Sequence, residues 1–115
     1  MESLELEATP ETFPELVREG TVLVDVWGPS CAPCIRLMPF VQELVSAREG
    51  AVRLVKVNAP DNRQVCRDLK VFGLPTYLVY RDGVERERLT GDPTIEDIGA
   101  ALDRALTSSA AEGGE

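Results

Sequence analysis

The chain has 115 residues, 43% of them hydrophobic, enough for one domain with a real core and unlike a disordered or membrane-embedded chain. A formal net charge of −8 argues against nucleic-acid binding, which calls for clustered Lys and Arg. Histidine is absent throughout, which removes Cys-His and Ser-His catalysis and every His-containing metal site.

The N-terminus, Met1 to Glu7, is acidic and lacks the basic start and apolar stretch of a signal peptide, so a cytoplasmic location is expected. No apolar run is long enough to span a bilayer as a helix. Residues 4–6 are expected to form a short first strand. Thr12-Phe13-Pro14-Glu15 has capping-box spacing and opens a short helix that Gly20 ends. Residues 22–27, nearly all apolar with one carboxylate, read as a strand covered on both faces.

A long helix is expected over residues 34–49, with Leu37, Met38, Val41, Leu44 and Val45 as its buried stripe. Pro39 lies inside it, where a missing N–H predicts a kink. Residues 52–57 form the next strand and 62–69 a short helix. Residues 76–81 and 84–89 form two strands joined by the hairpin signal Asp82-Gly83. The run Glu85-Arg86-Glu87-Arg88 suits an exposed edge strand. Thr94-Ile95-Glu96-Asp97 caps a last helix whose Ile95, Ile98, Leu102 and Leu106 face the sheet. The pattern predicts an α/β domain, β-α-β-α-β-α-β-β-α, over residues 1–106. Its mixed sheet has helices on both faces, and residues 107–115 follow as a frayed tail.

The chemistry gathers at one junction. Cys31-Ala32-Pro33-Cys34 follows the buried strand directly and opens the long helix. Unpaired N–H groups and the helix dipole favour an anion there, and a thiolate is the reactive form of cysteine. The spacing sets both sulfurs on one turn, with Cys31 expected to be the more exposed and more acidic. Cys31 would attack a substrate disulfide, and Cys34 would resolve the mixed disulfide. Pro33 stiffens the turn without losing a needed N–H. The alternative, half of a zinc site, lacks a second CxxC or a pair of histidines.

Alternation along the buried strand puts Leu23, Asp25 and Trp27 on one face and the valines on the other. Two readings of Asp25 stay open: a poorly solvated acid that accepts a proton from Cys34, or a carboxylate satisfied structurally. Lys56 is either a partner that tempers the Asp25 shift or a solvated strand lysine. Cys66 reads as a buried small hydrophobe, and its role stays open.

Val24-Asp25-Val26-Trp27, Cys31-Ala32-Pro33-Cys34, Pro39, Lys56, Gly73-Leu74-Pro75-Thr76, Asp82-Gly83 and Gly91 stand in the order and spacing of thioredoxins. The resemblance covers the chain up to Leu106 and implies a thioredoxin fold. It makes Cys31 the nucleophile, Cys34 the resolving thiol with which it forms the redox disulfide, and Asp25 with Lys56 the proton-handling pair. Trp27, Ala32, Pro33, Leu74, a cis Pro75, Thr76 and Gly91 would form the substrate-binding surface. The implied activity is protein-disulfide reduction by a monomer without a bound cofactor or metal, recycled by thioredoxin reductase. Other readings are a specialised oxidoreductase with one client and a non-catalytic interaction module. Three positions depart from the family: Ala32 replaces glycine, Ser30 replaces tryptophan, and Ile35 replaces a common basic residue. Loss of the indole at position 30 bears on substrate range and reductase recognition.

Overall fold

The computed structural model describes residues 5–113, with side chains as far as Thr107. Leu4 and residues 114–115, parts of the expected first strand and tail, lie outside the described residues. The elements are β1 (Glu5–Glu7), α1 (Phe13–Leu16), β2 (Thr21–Trp27), α2 (Ala32–Ser46), β3 (Val52–Asn58), a 3-10 turn (Ala59–Asp61), α3 (Arg63–Leu69), β4 (Thr76–Arg81), β5 (Val84–Leu89) and α4 (Ile95–Gly113). The five strands form one sheet in the order β1-β3-β2-β4-β5. β3 runs parallel to both β1 and β2, while β4 is antiparallel to β2 and to β5. This is the mixed α/β architecture expected of a thioredoxin fold.

The alternation in β2 divides the core. Val22, Val24 and Val26 pack with Val55, Val57 and Leu78 under Phe13 of α1 and Val65 of α3. On the opposite face Leu23, Leu54, Tyr77 and Val79 pack under Val41 and Val45 of α2 and Ile98 and Leu102 of α4. The valines of β2 are fully buried, so a one-residue slip would exchange every contact between the two cores. Leu37 and Leu44 of the expected α2 stripe pack at its margin, and Met38 is half-buried.

Helix ends follow local chemistry more than spacing. α2 starts two residues earlier than expected because Cys31 is itself the cap, extended at φ −96° and ψ 102°. It stops at Ser46, and the chain turns out of it through Glu49 and Gly50, both with positive φ. The capping box expected at Thr12 does not form. Thr12 has helical backbone angles, and its Oγ1 accepts instead from the Thr9 N–H at 2.8 Å. Asp82 and Gly83 both take positive φ, as a two-residue hairpin demands. Gly20, beyond the end of α1 rather than at it, accepts from the Asp82 N–H at 2.9 Å and ties that hairpin to the start of β2.

At α4 the expected box is present. Asp97 N–H donates to Thr94 Oγ1 at 3.0 Å, and Thr94 N–H donates to Asp97 Oδ2 at 3.2 Å. α4 continues past Leu106, the end given to the domain from sequence, as far as Gly113. Removing the Thr94 hydroxyl with Thr94→Ala should cost about 1 kcal/mol, read as a lower urea midpoint with an unchanged slope.

Candidate active site

Antiparallel pairing of β2 with β4 brings two separate pieces of sequence to one end of the sheet. Val26 lies opposite Thr76, so the last residue of β2 and the residues just before β4 are neighbours. The loop after β2 leads into Cys31, whose N–H donates to the Gly28 carbonyl at 3.1 Å. A β-carbon at Gly28 would come within 3.1 Å of Leu74 Cδ1, so glycine there lets the Cys31 loop lie close against the loop before β4. The Leu74–Pro75 peptide is cis, whereas the sequence alone, without the resemblance, favours trans.

Cys31 and Cys34 are joined as a disulfide, with Cα atoms 5.3 Å apart. The two sulfurs differ in their surroundings. Cys31 is half-buried at the helix mouth, whereas Cys34 has no exposed surface. The Cys34 N–H donates to Cys31 Sγ at 3.2 Å. A backbone donor at a helix N-terminus favours negative charge on that sulfur once the bridge is reduced. Ala32 is exposed and Pro33 half-buried in the first turn, where proline forfeits no helical bond.

Asp25 is 1% exposed, on the sheet face that α2 and α4 cover. Both carboxylate oxygens are buried without a hydrogen-bond partner among the described residues. No described protein group therefore plays the part of the hydrogen-bond partner that the structural reading needs. Burial pushes its pKa up to about 7, against the opposing pull of the Lys56 charge, with Glu7 and Glu5 adding to the rise.

The register sets a row across this face: Glu7 beside Lys56, Lys56 beside Asp25, and Asp25 beside Tyr77. Lys56 is neither a solvated lysine nor bonded to Asp25. Its Nζ lies 2.7 Å from Glu5 and 3.6 Å from Glu7. It also sits 5.9 Å from the centroid of the Trp27 ring, whose Nε1–H donates to Glu7 at 3.3 Å. Burial works to lower the Lys56 pKa, but the bond to Glu5 and the two carboxylate charges outweigh it and raise it.

Sequence reasoning did not find Glu5, Glu7 or Tyr77. The phenol of Tyr77 is buried without a partner among the described residues, and burial followed by the Asp25 charge raises its pKa. Counting back from the Asp82-Gly83 turn gives the β4 face on which Tyr77 lies, so that signal was present.

On the solvent side, Leu74, Pro75, Thr76 and Gly91 line a single groove with Phe72 and Arg88. Thr76 is buried, and its hydroxyl donates to the Gly73 carbonyl at 2.7 Å. Phe72 is 84% exposed and was not singled out from sequence. Cys66 is half-buried against the α1–α3 core, more accessible than expected, and burial raises its thiol pKa. Among the described residues no cluster of three or more His, Cys, Asp or Glu is placed to hold a metal ion.

A sulfur pair bridged across the first turn of a helix, its outer member half-buried and its inner member enclosed, defines a thiol–disulfide oxidoreductase on this mixed sheet. The comparisons with known proteins agree. A sequence profile of the family described as Thioredoxin matches residues 5–104. A thioredoxin of Peptoclostridium acidaminophilum is 41% identical over 88 residues, 76% of this chain and 80% of that protein. A thioredoxin of Staphylococcus haemolyticus is 28% identical over 101 residues, 88% of this chain and 97% of that protein. One from Staphylococcus aureus is 29% identical over the same length and the same shares of each chain. The chain belongs to the thioredoxin family. Among the described residues no helix is long and apolar enough to cross a membrane.

Proposed function

We propose that the protein is a protein-disulfide reductase of the cytoplasm, acting as a monomer and re-reduced by thioredoxin reductase. The observation that carries this reading is the unequal exposure of the two sulfurs, with Cys34 enclosed and Cys31 within reach of solvent. The Cys31 thiolate attacks one sulfur of a substrate disulfide; a Cys31–substrate bond forms as the substrate bond breaks, and the first substrate thiolate leaves. Cys34 then gives up its proton and attacks Cys31 Sγ. The second substrate thiolate leaves, and the enzyme takes both oxidising equivalents as its own disulfide.

Asp25 is the acceptor proposed for the Cys34 proton. A carboxylate with a pKa of about 7 accepts and returns a proton near neutral pH. Lys56 would complete the proton-handling pair. Trp27, Ala32, Pro33, Leu74, Pro75, Thr76 and Gly91 would form the contact surface. An extended substrate segment would meet the backbone around Pro75 by strand-like hydrogen bonds.

The test is reduction of insulin driven by a small dithiol. Wild type should precipitate insulin well ahead of the dithiol alone, and Cys31→Ser should fall back to the dithiol's own rate. Equal rates for wild type and dithiol would sink the reductase reading. Oxidation of NADPH on mixing with thioredoxin reductase and insulin tests the proposed recycling partner.

A further inference from the structure

The ammonium of Lys56 has a choice. Its Cα sits between those of Glu7 on β1 and Asp25 on β2, so the side chain can serve either strand. It is committed to β1, at 2.7 Å from Glu5 and 3.6 Å from Glu7, while neither Asp25 oxygen has a hydrogen-bond partner among the described residues. Glu5 is itself held in place, because Gln42 Nε2 of α2 donates to both its oxygens at 3.0 Å. Glu7 is anchored by the Trp27 indole. We propose that Glu5, backed by Glu7, is a positioning residue that holds the Lys56 ammonium on the β1 side and so withholds it from the Asp25 carboxylate.

The inference rests on the proposed role of Asp25 only for its catalytic consequence; the placement of Lys56 stands by itself. The charged and titratable groups acting on Asp25 are Glu5 and Glu7 from β1 and Lys56 from β3, with Tyr77 beside it on β4. Only Lys56 among them carries positive charge. A cation in contact with a buried carboxylate would stabilise its ionised form and weaken it as a proton acceptor. Two carboxylates that draw the cation aside keep Asp25 a stronger base. Glu5 is suited to this because the Lys56 bond, acting against its partial burial and assisted by Gln42, keeps its own pKa below the ordinary range.

The experiment titrates Asp25 directly, by the carboxyl carbon shift in NMR, in the reduced protein from about pH 5 to about pH 9. Wild type, Glu5→Gln, Lys56→Met and the double variant are compared. Glu5→Gln should lower the Asp25 midpoint by at least about half a pH unit, because the like charge is lost and Lys56 is released towards Asp25. Lys56→Met should raise the midpoint. In its background the Glu5 substitution should shift the midpoint by less than half as much, since Glu5 would have no ammonium to position. An unmoved midpoint in Glu5→Gln overturns the proposal, and so does an equal shift in both backgrounds. Glu7→Gln, expected to move the midpoint the same way by less, serves if Glu5→Gln unfolds. A merely structural role for Glu5 would lower the urea midpoint without moving this titration. A midpoint that moves while the pH profile of resolution stays fixed supports the placement of Lys56 and separately removes Asp25 as the Cys34 base.

Discussion

Cys34→Ser should turn the protein into a trap that accumulates mixed disulfides through Cys31. The first step needs only the half-buried outer sulfur at the helix mouth, which the substitution leaves in place. The second step is intramolecular in wild type, between sulfurs whose Cα atoms lie 5.3 Å apart. Without Cys34 the adduct must wait for an external thiol. Well-oriented intramolecular reactions have effective concentrations far above any millimolar thiol, so release should slow at least about a thousand-fold. Non-reducing gels followed by mass spectrometry should show the substrate cysteine bonded to Cys31. The reciprocal variant, Cys31→Ser, should trap nothing, because Cys34 has no exposed surface from which to attack a bulky disulfide. Adducts on Cys34 in that variant would reverse the assignment of nucleophile and resolver.

How legible these features were in the sequence depends on the range of the interaction that makes them. The two-faced pattern of β2 is local and periodic, so Val22, Val24 and Val26 could be assigned to one core and Leu23 and Asp25 to the other. The Asp82-Gly83 turn and the Thr94–Asp97 box are also local, and both are present. The Thr12 box failed because its signal is only a spacing. Thr9, three residues earlier, competes for the same hydroxyl. The start of α2 was placed two residues late because a cysteine sulfur is an uncommon cap.

The surroundings of Asp25 were harder to read. Its burial was apparent from its apolar neighbours, and the tempering charge of Lys56 was recognised as one of two possibilities. The fate of the ammonium was not, since it depends on which strand lies on the far side of β3. Once the sheet order puts β1 there, the acidic alternation Glu5-Leu6-Glu7 becomes the partner of Lys56. The approach of Gly28 to Leu74 likewise depends on strand order and loop geometry together.

Asp25→Asn should stabilise the folded protein in alkaline solution and do nothing comparable in acid. A folded-state pKa of about 7 against the ordinary carboxyl value of 3.8 is a difference of roughly three pH units. Each unit is 1.36 kcal/mol, so full ionisation of Asp25 opposes folding by about 4 kcal/mol. The sign follows from proton binding. Between about pH 4 and about pH 7 the folded state retains the Asp25 proton while the unfolded state releases it, so stability falls as pH rises and then levels off. Asparagine has the same shape and no charge to bury, and the cost of its unpartnered amide does not vary with pH. Urea midpoints of the oxidised proteins, in which the bridged Cys31 and Cys34 do not titrate and Cys66 is common to both, should therefore diverge across this window. The stability difference between variant and wild type should grow by about 4 kcal/mol between about pH 4 and about pH 8. A difference independent of pH would mean that Asp25 ionises normally and is not an acceptor tuned to neutral pH. The same substitution should slow resolution of the mixed disulfide, because no buried base is left for the Cys34 proton. Gain of stability with loss of turnover in one variant is the result expected of a carboxylate retained for chemistry at the expense of the fold.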